Sequence, residues 1–173
     1  MAKRIFGMTE EIVVLTQLEE AQKKSKNYIY IAMGFGLIPI PAVDFAAISL
    51  TQLKMVHSLA EHYDVPFSKD ISKTIIASLV GGVLPAPVGM AFASLMKAIP
   101  IVGTLVGATS VSLFAGASTY ALSRVFIKHF ETGGTFLNFD PESVREYFKE
   151  EFNNGKVVAE DIKSTKPTPD KSK

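Results

Sequence analysis

Apolar positions along this 173-residue chain recur at spacings of three and four, and nowhere with the strict alternation of a strand. The pattern predicts an all-α chain of about five or six helices. Thr9, with Glu10 and Glu11 behind it, predicts a first helix: a hydroxyl cap, then carboxylates in the positively polarised first turn. Ile12, Leu15, Leu18 and Ala21 mark its apolar stripe. Lys23, Lys24 and Lys26 close its polar part just ahead of an apolar run, residues 28–36. Pro39 and Pro41 must interrupt that run, because proline lacks an N–H and its ring clashes with the preceding turn. A strongly amphipathic second helix over about 41–63 follows. Pro41 opens it, Asp44 stands in its first turn, and Ala46, Leu50, Leu53, Val56, Ala60 and Tyr63 form its apolar stripe. Asp64-Val65-Pro66 ends it.

Ser68-Lys69-Asp70 begins the next helix, which runs into a stretch, residues 74–123, with Lys97 as its one charge. The break Lys97-Ala98-Ile99-Pro100 divides this stretch into two apolar arms, 74–96 and 101–123. Pro85 and Pro87 kink the first arm. Gly103, Gly107, Val111, Ala115 and Thr119 lay a small-residue stripe along the second. Thr132-Gly133-Gly134 stops the helix that continues from the second arm, glycine supplying a left-handed cap. Asp140-Pro141-Glu142 opens a last helix with Val144, Phe148 and Phe152 as its stripe, and Asn153-Asn154-Gly155 closes it. Residues 156–173, rich in Lys, Thr, Pro and Asp, read as a disordered tail, so a single domain spans 1–155.

Each arm has the length, about 17–25 residues, that a membrane-crossing helix requires. Lys97 falls in the turn, where it escapes the roughly 3 kcal/mol that a lysine costs at the bilayer centre. Lys69 and Lys73 precede the arms and Arg124 and Lys128 follow them, which places both open ends on the cytosolic side. The preferred reading is therefore an apolar helical hairpin in or across a membrane. The alternative is a soluble cytoplasmic scaffold, self-assembling, in which the same Gly-rich pair is the core. A third reading is a carrier holding an apolar ligand between the arms.

Composition narrows the chemistry further. A net charge of +1 lacks the basic face of a nucleic-acid binder. With no cysteine, disulfides and thiolate chemistry are excluded. His57 and His62 stand five apart and miss the i, i+4 spacing of a helical zinc site. Neither a phosphate-binding G-x-x-x-x-G-K-[ST] loop nor a G-x-S-x-G nucleophile motif is present, so no enzymatic activity, cofactor or metal is expected. Two groups of residues remain as interaction candidates. Asp44 would meet a partner's basic group or an ion, or else complement its own helix dipole, which is the favoured reading. Lys23, Lys24 and Lys26 would attract anionic headgroups at about 1 kcal/mol each. Pro39 and Pro41, ahead of Asp44, and Gly103 and Gly107, on the second arm, are further partner- or membrane-interaction candidates.

Gly36-Leu37-Ile38-Pro39-Ile40-Pro41-Ala42-Val43-Asp44, the amphipathic helix with Gln52, Met55 and Leu59, the Gly/Ala/Ser-rich pair, and Thr119-Tyr120-Ala121-Leu122 running to His129-Phe130 resemble the family of domain of unknown function 697 (YcjF-like) over about residues 25–155. The resemblance implies an α-helical, bacterial, membrane-associated domain. In that family the domain is often joined to, or encoded beside, a GTPase. This chain carries no nucleotide-binding motif, so a GTPase partner would act in trans. Lipid, such a protein partner and a second copy of the chain are the partners that follow.

Overall fold

The computed structural model describes the backbone of residues 2–37, 43–83 and 108–165, and the side chains of 12–37, 45–83 and 111–165. Pro39, Pro41, Gly103, Gly107 and the Lys97 turn lie outside the described residues, as does the side chain of Asp44. Five α-helices are present among them: α1 Ala2–Phe35, α2 Val43–His62, α3 Lys69–Gly81, α4 Ala108–Glu131 and α5 Arg145–Thr165, with a short 3-10 turn, Phe136–Asn138, before α5. No strand occurs among the described residues. The all-α expectation holds.

Helix α4 is the axis of the bundle, with α1, α2, α3 and α5 all packed on it. Ser112, Ala115, Ala117, Ser118, Thr119, Ala121, Leu122, Ser123, Val125 and Phe126 are all buried, and they cover all but one side of the helix, where Leu113, Tyr120 and Arg124 are half-buried. A helix that is apolar or small on all sides belongs inside a core or a membrane. From residue 111 to residue 127 α4 is inside the core. The hairpin reading of the whole second arm is corrected here: its residues 111–123 are wrapped by protein, not lipid. No helix among the described residues is long and apolar enough to cross a membrane.

Small side chains in α4 are required because its neighbours press so closely. A Cβ on Gly36 would come within 2.6 Å of the Ser112 Cα, and one on Gly116 within 2.7 Å of Met33. A Cβ on Gly155 would meet the Ala117 carbonyl oxygen at 2.8 Å. Hydroxyls at these crossings are satisfied locally or across the interface. Ser112 Oγ donates to the Met33 carbonyl at 2.8 Å, joining α4 to α1. The Gln52 amide of α2 donates to Ser118 Oγ at 3.0 Å and Thr119 Oγ1 at 3.3 Å. A buried polar group left unpaired would cost more than these bonds contribute.

Two helix ends close in the same way. After α4, Gly133 sits at φ +78° while its N–H bonds to Phe130 and that of Gly134 to His129. After α2, Asp64 takes φ +54° with equivalent bonds to Glu61 and Ala60. Both are left-handed caps of the paired 6→1 and 5→2 kind. The stops at Asp64 and at Gly133-Gly134 fall where the sequence puts them.

Other boundaries and faces differ from expectation. Helix α1 runs through Thr9 from Ala2 and does not start there. The last helix begins at Arg145, because Asp140-Pro141-Glu142 forms a turn in which Asp140 Oδ1 accepts the Glu142 N–H at 3.0 Å. It continues past Gly155 to Thr165, so residues 156–165 of the expected disordered tail are helical. Gly155 is a packing glycine, not a terminator. In α2, Leu50 and Ala46 are exposed, whereas Thr51 and Gln52 are buried with Ile48, Met55, Val56 and Leu59. In α1, Ile12 and Leu15 are exposed and Ala21, Ser25, Ile29 and Ala32 face the bundle. The hydroxyls of buried Thr51 and Ser25 each bond back to their own helix, to Ala47 and Ala21.

At the end of the bundle that holds the α4–α5 connection, the core is aromatic. Phe126 packs against Phe130, Phe136 and Phe139 with ring centroids 5.1–6.0 Å apart. Tyr63 closes the same end and donates to Glu131 at 3.4 Å. Burial, reinforced by the Glu131 charge, pushes the Tyr63 hydroxyl well above the ordinary tyrosine value. Burial does the same to Tyr147 on α5, beside Glu151.

Candidate membrane-facing end and apolar cleft

The helices alternate in direction, so the C-terminus of α1, the N-terminus of α2, the C-terminus of α3 and the N-terminus of α4 gather at one end. Gly36 against Ser112 fixes the first and last of these together. The segment 84–107, whose sequence holds Lys97 as its one charge, joins the described bundle at this end, between Val83 and Ala108. Ile31, Phe35 and Leu37 stand exposed there. They arise because residues 28–37 are apolar around nearly the whole helix while the bundle covers only the side with Ile29, Ala32 and Met33. Sequence reasoning marked this run as apolar but did not single out which side chains would be left uncovered. Helical phase against Ile29, Ala32 and Met33 is the signal that separates them.

Lys23, Lys24 and Lys26 are exposed on α1, with Lys26 nine residues, roughly 13 Å, behind Phe35. No hydrogen bond or ion pair to them is found among the described residues. Asp44 is the second residue of α2, inside its first turn, as its sequence position requires. The structure does not bring Asp44 and the lysines into one described cluster.

Below the apolar end, α2 and α3 separate over α4 to leave a cleft of about 320 Å³. Phe45, Ile48 and Leu53 of α2, Ile76 and Val80 of α3 and Phe114 of α4 form most of its wall, with Leu50 exposed on its rim. Lys73 is the one charged side chain that lines it, and it lies 3.8 Å from Asp70 in an exposed pair.

At the opposite end, Gln17 and His62 exchange contacts, His62 Nε2 lying 2.9 Å from the Gln17 carbonyl. Helix α1 therefore overhangs α2 from residue 16 back to residue 2, roughly 20 Å. Ile12, Val13, Val14 and Leu15 on this overhang are each more than half exposed. Among the described residues no group of three or more His, Asp and Glu is placed to hold a metal ion. His57 faces Glu61 at 3.8 Å and stacks on Phe67, and His129 bonds to the Thr135 carbonyl at 3.0 Å.

The chain is 42% identical over 147 residues to Magnetosome membrane protein 22 of Magnetospirillum gryphiswaldense (strain MSR-1), a match covering 84% of this chain and 75% of that protein. No solved structure matches. The family model described as "Domain of unknown function (DUF697)" matches residues 2–156, and the chain belongs to that family.

Proposed function

We propose that this chain is a non-enzymatic, membrane-associated helical module that meets lipid with one end of its bundle. The observation that carries the reading is the coincidence, at a single end, of exposed Ile31, Phe35 and Leu37 with the attachment points of the apolar segment 84–107. Fully burying such a side chain is worth about 1.5–3 kcal/mol, and with these three 36–50% exposed each adds roughly half of that or less, enough together to bias binding. Lys23, Lys24 and Lys26, set back along α1, suit the headgroup layer when the end is embedded. The name of the magnetosome relative supports a membrane location. The basic residues flanking the apolar stretch, Lys69, Lys73, Arg124 and Lys128, favour the cytosolic face of a bacterial inner membrane. The overhang of α1, with Ile12–Leu15 uncovered, is the surface offered to a protein partner: a GTPase acting in trans, or a second copy of the chain.

Flotation of the full-length protein on anionic liposomes tests the membrane contact. Phe35→Glu with Leu37→Glu is expected to lower the bound fraction at least tenfold, while Leu137→Glu at the other end leaves it unchanged. Equal flotation of all three proteins would contradict the reading.

A further inference from the structure

We infer that the cleft between α2 and α3 is a binding site for a free fatty acid. This goes beyond the membrane contact and does not depend on it. The shape of the cleft selects the occupant. It extends along α3 from Lys73 to Val80, seven residues or roughly 10 Å, with a volume of about 320 Å³. A single unbranched acyl chain of medium length matches that extent.

The chemistry of the wall selects the same ligand. Side chains from three helices line the cleft with carbon, and its polar members contribute little. The Gln52 amide is already committed to Ser118 and Thr119, and Ser49 is exposed at the rim. A polar metabolite would lose its hydration without replacement bonds, a penalty of about 1–3 kcal/mol per group. Lys73 supplies the one charge, at the end of the cleft away from Phe45 and Val80. Its pairing with Asp70 is solvent-exposed, and such pairs contribute at most about 1 kcal/mol. The ammonium is free to turn to a carboxylate. An apolar slot closed by one cation is complementary to a chain with one acidic end.

The test uses the purified full-length protein and a diazirine-bearing octanoic acid as photoprobe, with adducts mapped by mass spectrometry. Adducts are expected on the peptides holding Ile48, Ile76, Val80 and Phe114, and excess unlabelled octanoate should remove them. Ala77→Phe, which fills the slot from the α3 wall, should reduce labelling at least tenfold. Ser49→Phe at the exposed rim should act in the same direction should Ala77→Phe fail to fold. Lys73→Ala should lower labelling by the acid probe at least fivefold while leaving labelling by the matching diazirine alcohol unchanged. Labelling that survives both Phe substitutions, or that concentrates on Ile31 and Leu37, would overturn the site. The Phe35→Glu and Leu37→Glu changes should not alter cleft labelling, so failure here is distinct from failure of the membrane contact.

Discussion

Gly155→Val should destabilise the bundle by about 3 kcal/mol, the upper part of the range for overpacking a close contact. Gly155 lies in the interior of α5, where glycine is otherwise about 1 kcal/mol worse than alanine. Its Cβ position is 2.8 Å from the Ala117 carbonyl oxygen, 2.9 Å from the Ala117 Cα and 3.1 Å from the Tyr120 Cβ. Two of these three atoms are backbone, so no rotamer change relieves the contact. The helices must separate, and the separation spreads to the neighbouring crossing at Ala159 and Gly116. Thermal unfolding of the full-length protein should show a fall of roughly 6–12 °C in Tm, at about 2–4 °C per kcal/mol for this size. Gly34→Ala supplies the contrast. Nothing lies within 4 Å of its Cβ position in α1, so alanine should stabilise by up to about 1 kcal/mol. Two helical glycines with opposite responses would show that packing, not helix propensity, keeps Gly155.

Phe126→Ala should cost about 3–5 kcal/mol, the usual range for removing a buried phenyl ring. Phe126 is fully buried and touches the rings of Phe130, Phe136 and Phe139. Those partners come from α4 itself, from the 3-10 turn and from the residue after it, so the cavity loosens the connection that docks α5. Urea titration should show a lower midpoint with an unchanged slope, since the surface exposed on full unfolding is almost the same. The change sits at the end away from the apolar tip, so liposome flotation of the folded protein should be retained.

Helix type, and the two stops at Asp64 and Gly133-Gly134, were legible in the sequence because they depend on local chemistry: proline, glycine and apolar spacing. Burial was harder to read where one helix meets several neighbours. Residues 111–123 look the same to a hydropathy count whether lipid or protein surrounds them. Only the arrival of α1, α2 and α5 on three sides shows that they are core. Gly155 looked like a terminator because a glycine after two asparagines usually ends a helix. Its actual role requires knowing that Ala117 lies opposite. Leu50 and Ile12 were assigned to buried stripes by spacing alone, yet Gln52 and Thr51 displaced Leu50 from the core once hydroxyl and carbonyl partners became available. The cleft was invisible for the same reason: its walls come from three separate segments.

Lipid contact at one end of the bundle, with α4 held inside protein, can be tested with two probes of equal chemistry. The chain has no cysteine, so Leu37→Cys and Leu137→Cys each accept a single environment-sensitive fluorophore. Both leucines are exposed, Leu137 at 89%, and they sit at opposite ends. With the protein on liposomes containing a bilayer-embedded quencher, the label at position 37 should be strongly quenched and the label at position 137 should not. Equal quenching at both positions, or quenching at 137 alone, would contradict the account.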